Sequence, residues 1–205
     1  PYLNGEDLNS RPDCSASRWV IDFGMREHSE AASYRLPFAR VVHDVKPQRD
    51  EVKIAYRREY WWRFAAWAPT MREVIAGLDE VLVLARVSKT VVPARVPTGA
   101  VASDQTVVFA TDSYAEQAVL SSSSHQYWSV KYSSTFGAGT RYPPSDVFET
   151  FPRPAPTPAL ETIGRTLDAE RREIMLRQED PAAPEAVRAP STPSAARSCC
   201  DGSWA

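Results

Sequence analysis

Glu80-Val81-Leu82-Val83-Leu84-Ala85-Arg86-Val87 is the stretch around which the reading of the fold turns. Its β-branched content predicts a buried strand. Residues 90–96 and 105–110 read as its partners, with Pro97-Thr98-Gly99 as a turn. Downstream, Asp112 is placed to cap a helix reaching about Val130, with Tyr114, Ala118, Leu120 and Trp128 as core residues. Residues 133–145 hold Gly137, Gly139, Pro143 and Pro144 and read as a loop. A proline-rich hinge at 152–158 precedes a final helix striped by Leu160, Ile163, Leu167 and Ile174, ending near Gln178.

Upstream, residues 1–17 are polar and read as a connecting loop, and residues 18–23 alternate Trp19, Ile21 and Phe23 like a strand. Pro37 opens a helix with Phe38, Val41, Val42 and Val45 on one face, and Pro47 ends it. Residues 48–67 read as a second helix, basic early and aromatic late; residues 69–78 form a short one stopped at Gly77. The expected class is α+β: a small, mostly antiparallel sheet flanked by helices, then a truncated helical segment. Residues 179–205, rich in Ala, Pro and Ser, are expected to be disordered.

At 205 residues the chain fits one domain plus an appendage. Its 43% hydrophobic and 24% charged content excludes collagen-like, membrane-spanning and wholly disordered classes. No apolar run approaches the roughly 18 residues of a transmembrane helix. Cys14, Cys199 and Cys200 lack zinc spacing and suit a reducing, cytoplasmic setting. Pro1 in place of Met implies a chain cut from a longer one, or a missing start. The net charge of −2 names no partner, but residues 35–63 carry eight basic groups against four acids. That stretch offers phosphate contacts, Arg57 and Arg58 among them. Helical spacing assigns Trp61, Trp62, Phe64 and Trp67 to the core.

No catalytic site assembles. Phe136-Gly137-Ala138-Gly139 is not flanked by the strand and helix that a phosphate loop needs. Tyr142-Pro143-Pro144-Ser145 lacks the Asn or Asp that would accept from a base amine. Asp44, Glu51 and Lys53 read as a solvated helix face rather than nuclease ligands. Ser124 and His125 point about 100° apart on a helix. His28 and His43 are isolated, and no metal site is expected.

Four segments in order nonetheless carry a resemblance. Pro1-Tyr2-Leu3-Asn4-Gly5-Glu6-Asp7-Leu8, Arg18-Trp19-Val20-Ile21-Asp22-Phe23, Ala85-Arg86-Val87-Ser88-Lys89 and the run from Arg141-Tyr142-Pro143 to Phe148-Glu149-Thr150-Phe151-Pro152 resemble MmeI-like (type IIL) restriction–modification enzymes. The resemblance covers about residues 1–178. It implies that residues 1–17 are a linker from a methyltransferase domain, that 18–152 are a DNA target recognition domain, and that 153–178 begin a helical C-terminal part. It implies double-stranded DNA as partner, and S-adenosylmethionine as cofactor of an adenine-specific methyltransferase joined in cis or in trans. The family's cofactor and Asn-Pro-Pro-aromatic motifs are absent from this chain, so no cofactor is assigned to it. Past Glu179 the likeness stops, as a frameshift or artificial end would produce. The alternatives are a non-catalytic interaction module, or a remnant, that does not bind DNA.

Base edges in the major groove are read by Arg at guanine, Asn or Gln at adenine, and Asp or Glu at cytosine. Two loops have that chemistry, and the resemblance places sequence choice in the same regions: residues 103–105 and 135–141. Asp104, Gln105, Thr140 and Arg141 are the candidate base readers. Arg86, Ser88 and Lys89, with Arg57 and Arg58, are the candidate phosphate contacts.

Overall fold

The computed structural model describes residues 1–64, 68–136 and 139–177. The expectations for Trp67, Gly137, Gln178 and the tail at 179–205 fall outside them. The first half runs β1 (Tyr2–Leu3), α1 (Gly5–Ser10), α2 (His28–Ser33), α3 (Arg35–Asp44), α4 (Lys46–Asp50), α5 (Ala55–Glu59) and α6 (Pro69–Ile75). Five strands follow: β2 (Glu80–Ala85), β3 (Val87–Ser88), β4 (Ala94–Pro97), β5 (Val101–Ala102) and β6 (Thr106–Phe109). The chain continues through α7 (Tyr114–Leu120), α8 (Ser123–Tyr132), β7 (Ser134–Phe136), β8 (Gly139–Arg141), α9 (Pro144–Val147) and α10 (Pro158–Arg177).

The class is α+β, and β2 is its centre. It pairs antiparallel with β4 and β6 in the order β4-β2-β6, with Leu82 opposite both Arg95 and Phe109. Successive strand side chains face opposite ways. Leu82 and Leu84 enter one core with Val107, Phe109, Leu120, Tyr142 and Val147. Val81 and Val83 enter another with Leu3, Ile75, Ala94 and Val96. Burial on both faces is why the strand reads as an unbroken apolar run. A second sheet, β3-β8-β7, is antiparallel throughout, and β1 lies parallel to β5.

Several local expectations give way. Residues 1–17 are not a plain loop: they form β1 and α1, and bury Leu3, Asn4, Asp7 and Cys14. Residues 18–23 form no strand, only a bridge from Arg18 to Tyr2. Phe23 is buried, but Trp19 is 83% exposed, so the alternation of residues 19, 21 and 23 does not carry one buried face. Residues 48–67 do not make one helix. Val52 and Ile54 fall in the break between α4 and α5, as β-branched residues weaken a helix there. Pro47 sits in the first turn of α4, where its missing N–H costs nothing, so it opens a helix as well as following one.

Ser113, not Asp112, caps α7 by accepting from Glu116 N at 3.2 Å. The predicted helix to Val130 then breaks at Ser121, and Ser122 caps α8 afresh through His125 N at 3.2 Å. Among the described residues of 133–145, Ser134–Phe136 and Gly139–Arg141 pair as β7 and β8 rather than forming a plain loop, and α9 follows, opened by Pro144. A separate helical cluster gathers Phe23, Ala31, Val41 and Trp62 with Phe38, Tyr60 and Trp61.

The final helix lies against α7 and hides only part of its expected stripe: Leu160 and Leu167 are half-buried. Ile163 and Ile174 are 56% and 53% exposed, whereas Gly164 and Asp168 are buried. Among the described residues no helix is long and apolar enough to cross a membrane.

Candidate functional site

Arg86 is where the chain leaves one sheet for the other. Ala85 still pairs with Thr106 in the first sheet, and Val87 already pairs with Arg141 in the second. Between them Arg86 donates its N–H to Gln105 O at 2.7 Å and accepts Tyr142 N at 2.8 Å. Three distant stretches are thereby pinned to one residue. The Asp104–Gln105 turn is tied from below by buried Ser103, whose Oγ accepts from Gln105 N at 3.1 Å and whose carbonyl accepts from Thr106 Oγ1 at 2.7 Å.

Around this pivot lies an open hollow of about 540 Å³ lined by Glu6, Asn9, Arg86, Asp104, Gln105 and Arg141. Among the described residues the side chains of Asp104, Gln105 and Arg141 make no hydrogen bond or ion pair. Arg86 Nε is shut off from solvent with no partner there either. A neighbouring groove of about 720 Å³ includes Ser88, Lys89, Gly139 and Arg171 in its wall and shares Asn9 and Val87 with the hollow. A third depression, about 470 Å³, lies where Arg86 and Arg141 meet Tyr132, Ser134 and Asp146.

The fold thus brings Arg86, Asp104, Gln105 and Arg141 together. Thr140 does not line the hollow: strand neighbours face opposite sides, and it stands opposite Ser88 while Arg141 stands opposite Val87. Ser88 is already engaged, donating through Oγ to Asn9 Oδ1 at 2.9 Å. Arg57 and Arg58 are on α5, the latter donating to Val52 O at 2.7 Å. Beside them, burial and then the Arg57 charge hold the Arg49 guanidinium below its ordinary range. Among the described residues no three His, Cys, Asp or Glu side chains gather as metal ligands.

Composition hid the contribution of α1. Asn9 of that helix donates to Val87 O at 2.9 Å, holding the start of the second sheet from the side. The signal was present in the spacing of Asn4 and Asp7, which form a capping box: Asn4 Oδ1 accepts from Asp7 N at 3.0 Å and Asp7 Oδ2 from Asn4 N at 3.1 Å. Gly5 brings the helix close, since a Cβ there would stand 3.1 Å from Gln105 O.

Beneath Arg141, Tyr142 and His125 form a buried pair. A carbonyl only accepts, so His125 Nδ1 donates to Leu120 O at 2.7 Å, and Nε2 accepts from the Tyr142 hydroxyl at 3.1 Å. Burial holds the imidazole below its usual pKa and pushes the phenol up. His125 in the fold therefore takes up a proton only at lower pH than in the unfolded chain, whose imidazole does so at about pH 6.5. Stability should fall as pH drops through about 6.5, and His125→Gln should flatten that slope in urea melts. An unchanged slope in the variant would remove His125 as its cause.

No protein-family model and no curated protein matches the chain. A solved structure does: the type IIL restriction–modification enzyme MmeI in complex with DNA, with a TM-score of 0.63 and 18% sequence identity. The match covers 86% of this chain and 23% of that one, so this chain spans about a quarter of the length of the solved enzyme. What the two share at this identity is a fold.

Proposed function

We propose that this chain is the sequence-reading module of an S-adenosylmethionine-dependent adenine DNA methyltransferase of a restriction–modification system. The observation that carries the reading is the hollow itself. Two guanidiniums, a carboxylate and a carboxamide line one open surface, and among the described residues the side chains of Arg141, Asp104 and Gln105 make no hydrogen bond or ion pair. Such a mixture suits the alternating donors and acceptors of base edges; a purely phosphate-binding surface needs only cations. The shared fold with a DNA-bound restriction–modification enzyme supports the same direction.

On this reading residues 18–152 choose the DNA sequence, 153–178 begin a helical part, and 1–17 arrive from the methyltransferase domain. Adenine extrusion and methyl transfer belong to that domain, in cis or in trans. Arg141, Asp104 and Gln105 read bases, while Arg86, Lys89, Arg57 and Arg58 set register on phosphates. Thr140 and Ser88 keep supporting roles in the strand pair that aims Arg141.

The test is duplex binding by Arg141→Ala and Lys89→Ala. Arg141→Ala should lose about 1–3 kcal/mol of discrimination at one base pair. Lys89→Ala should weaken all duplexes alike and lower the salt slope by about one unit. Equal losses on every sequence for Arg141→Ala would refute its assignment, and no binding by the intact chain at low salt would refute the function.

A further inference from the structure

The hollow contains an acid that the reading above does not use. Glu6 lies in the first turn of α1 and lines the same surface as Arg86, Asp104, Gln105 and Arg141. Its neighbour Asp7 is buried and committed to the capping box. Glu6 is exposed, and among the described residues its carboxylate makes no hydrogen bond or ion pair. A first-turn acid favours the helix dipole wherever it points, so the dipole does not explain why this one faces the hollow.

The position of Glu6 is held firmly. Asn4 Oδ1 accepts from Glu6 N at 2.8 Å, Gly5 abuts the Asp104–Gln105 turn, and Asn9 bonds to Val87 O at 2.9 Å and to the Ser88 hydroxyl at 2.9 Å. A carboxylate fixed against a duplex is repelled by every phosphate it passes. It is favourable where it meets an amine, and the major-groove edge of cytosine offers one at N4. The partner guanine offers O6 and N7, which suit a guanidinium. Glu6 and Arg141 in one hollow therefore carry the chemistry of the two halves of a C·G pair.

We propose that Glu6 is a specificity-determining residue whose carboxylate accepts from the N4 amine of a cytosine, making α1 part of the recognition surface. The proposal rests on the DNA-reading function of the hollow. It is tested by selecting randomised duplexes with the intact chain, Glu6→Gln, Glu6→Ala and Arg141→Ala, each checked by thermal melting. Glu6→Gln should shift preference at one position from cytosine toward adenine, and Glu6→Ala should lose about 10- to 100-fold selectivity there. Melting should hardly change, because neither variant touches the capping box. An unchanged order of preferred sequences in both Glu6 variants overturns the proposal, and so does a uniform gain on all duplexes, which marks Glu6 as a charge near phosphates. If Arg141→Ala alters preference and the Glu6 variants do not, the function stands and Glu6 falls. If the intact chain shows no preference at all, both fall.

Discussion

Gly164→Ala should destabilise the protein by about 3 kcal/mol, at the upper end of what an added methyl costs in a packed site. In an exposed helix interior the same change would stabilise by about 1 kcal/mol, so the sign of the effect is itself diagnostic. A Cβ built on Gly164 stands 1.9 Å from Tyr114 O and 2.6 Å from Tyr114 C. The obstacle is backbone, and it cannot swing away. Tyr114 is the first residue of α7, Ser113 caps that helix, and the Ala115 N–H is donated across to Glu161 Oε2 of α10 at 3.0 Å. Relief requires α10 to lift off α7, breaking the Glu161 bond. Urea denaturation reads the change directly. Gly77→Ala is the control: a Cβ there meets nothing within 4 Å, and its midpoint should stay within experimental error or rise. A Gly164→Ala midpoint equal to the parent's would mean that α10 is not seated where it lies in this structure.

That helix also shows where reading a chain by period succeeds and where it fails. Strand β2 was legible because burial on both faces leaves a purely local record: every residue from Val81 to Ala85 is apolar. The α10 stripe of Leu160, Ile163, Leu167 and Ile174 is equally periodic, yet only Leu160 and Leu167 are half-buried, and Ile163 and Ile174 are exposed. Close approach to α7 calls for a small residue, and Gly164 and Asp168 supply a face that apolar counting discards. The break at Ser121 was hidden for a related reason: serines are tolerated in helices, and only the Ser122 Oγ bond to His125 N shows a new N-terminus. At the site, Asp104, Gln105 and Arg141 were legible as side-chain chemistry on loops. Their meeting at Arg86 was not, because it depends on which strands β2 and β3 choose as partners. Glu6 and Asn9 were lost in a polar, linker-like composition, although the Asn4–Asp7 cap was visible in it.

Arg95→Ala should cost more still, about 3–5 kcal/mol, the range for removing one member of a buried charged network. The Arg95 side chain is 2% exposed and fully engaged. Its Nε donates to Gln117 Oε1 at 3.2 Å, its Nη2 to Asp112 O at 2.6 Å, and Nη1 stands 3.6 Å from Glu80 Oε2. Gln117 Nε2 passes the chain on to Asp168 Oδ1 at 2.9 Å, Asp168 Oδ2 accepts from Arg172 Nε at 2.8 Å, and Arg172 returns to Glu80 Oε1 at 3.5 Å. The circuit closes across β2, β4, α7 and α10. Removing Arg95 strands one buried acceptor, Gln117 Oε1, frees the exposed Asp112 O, and strips one cation from the face of Tyr114, where the guanidinium stacks at 3.7 Å. Arg95→Lys should recover little, since a point charge cannot serve a fork of three directions. Arg165 stacks on the same ring at 4.3 Å but from solvent, and Arg165→Ala should cost under about 1 kcal/mol. The circuit includes Glu80 at the start of β2, whereas the hollow gathers at Arg86 just past its end. On the proposed function, Arg95→Ala should therefore lower the urea midpoint sharply yet leave the order of preferred duplexes unchanged under conditions where the chain stays folded. A changed order would mean that the two ends of β2 are coupled, and that α10 helps to shape the hollow at Arg86.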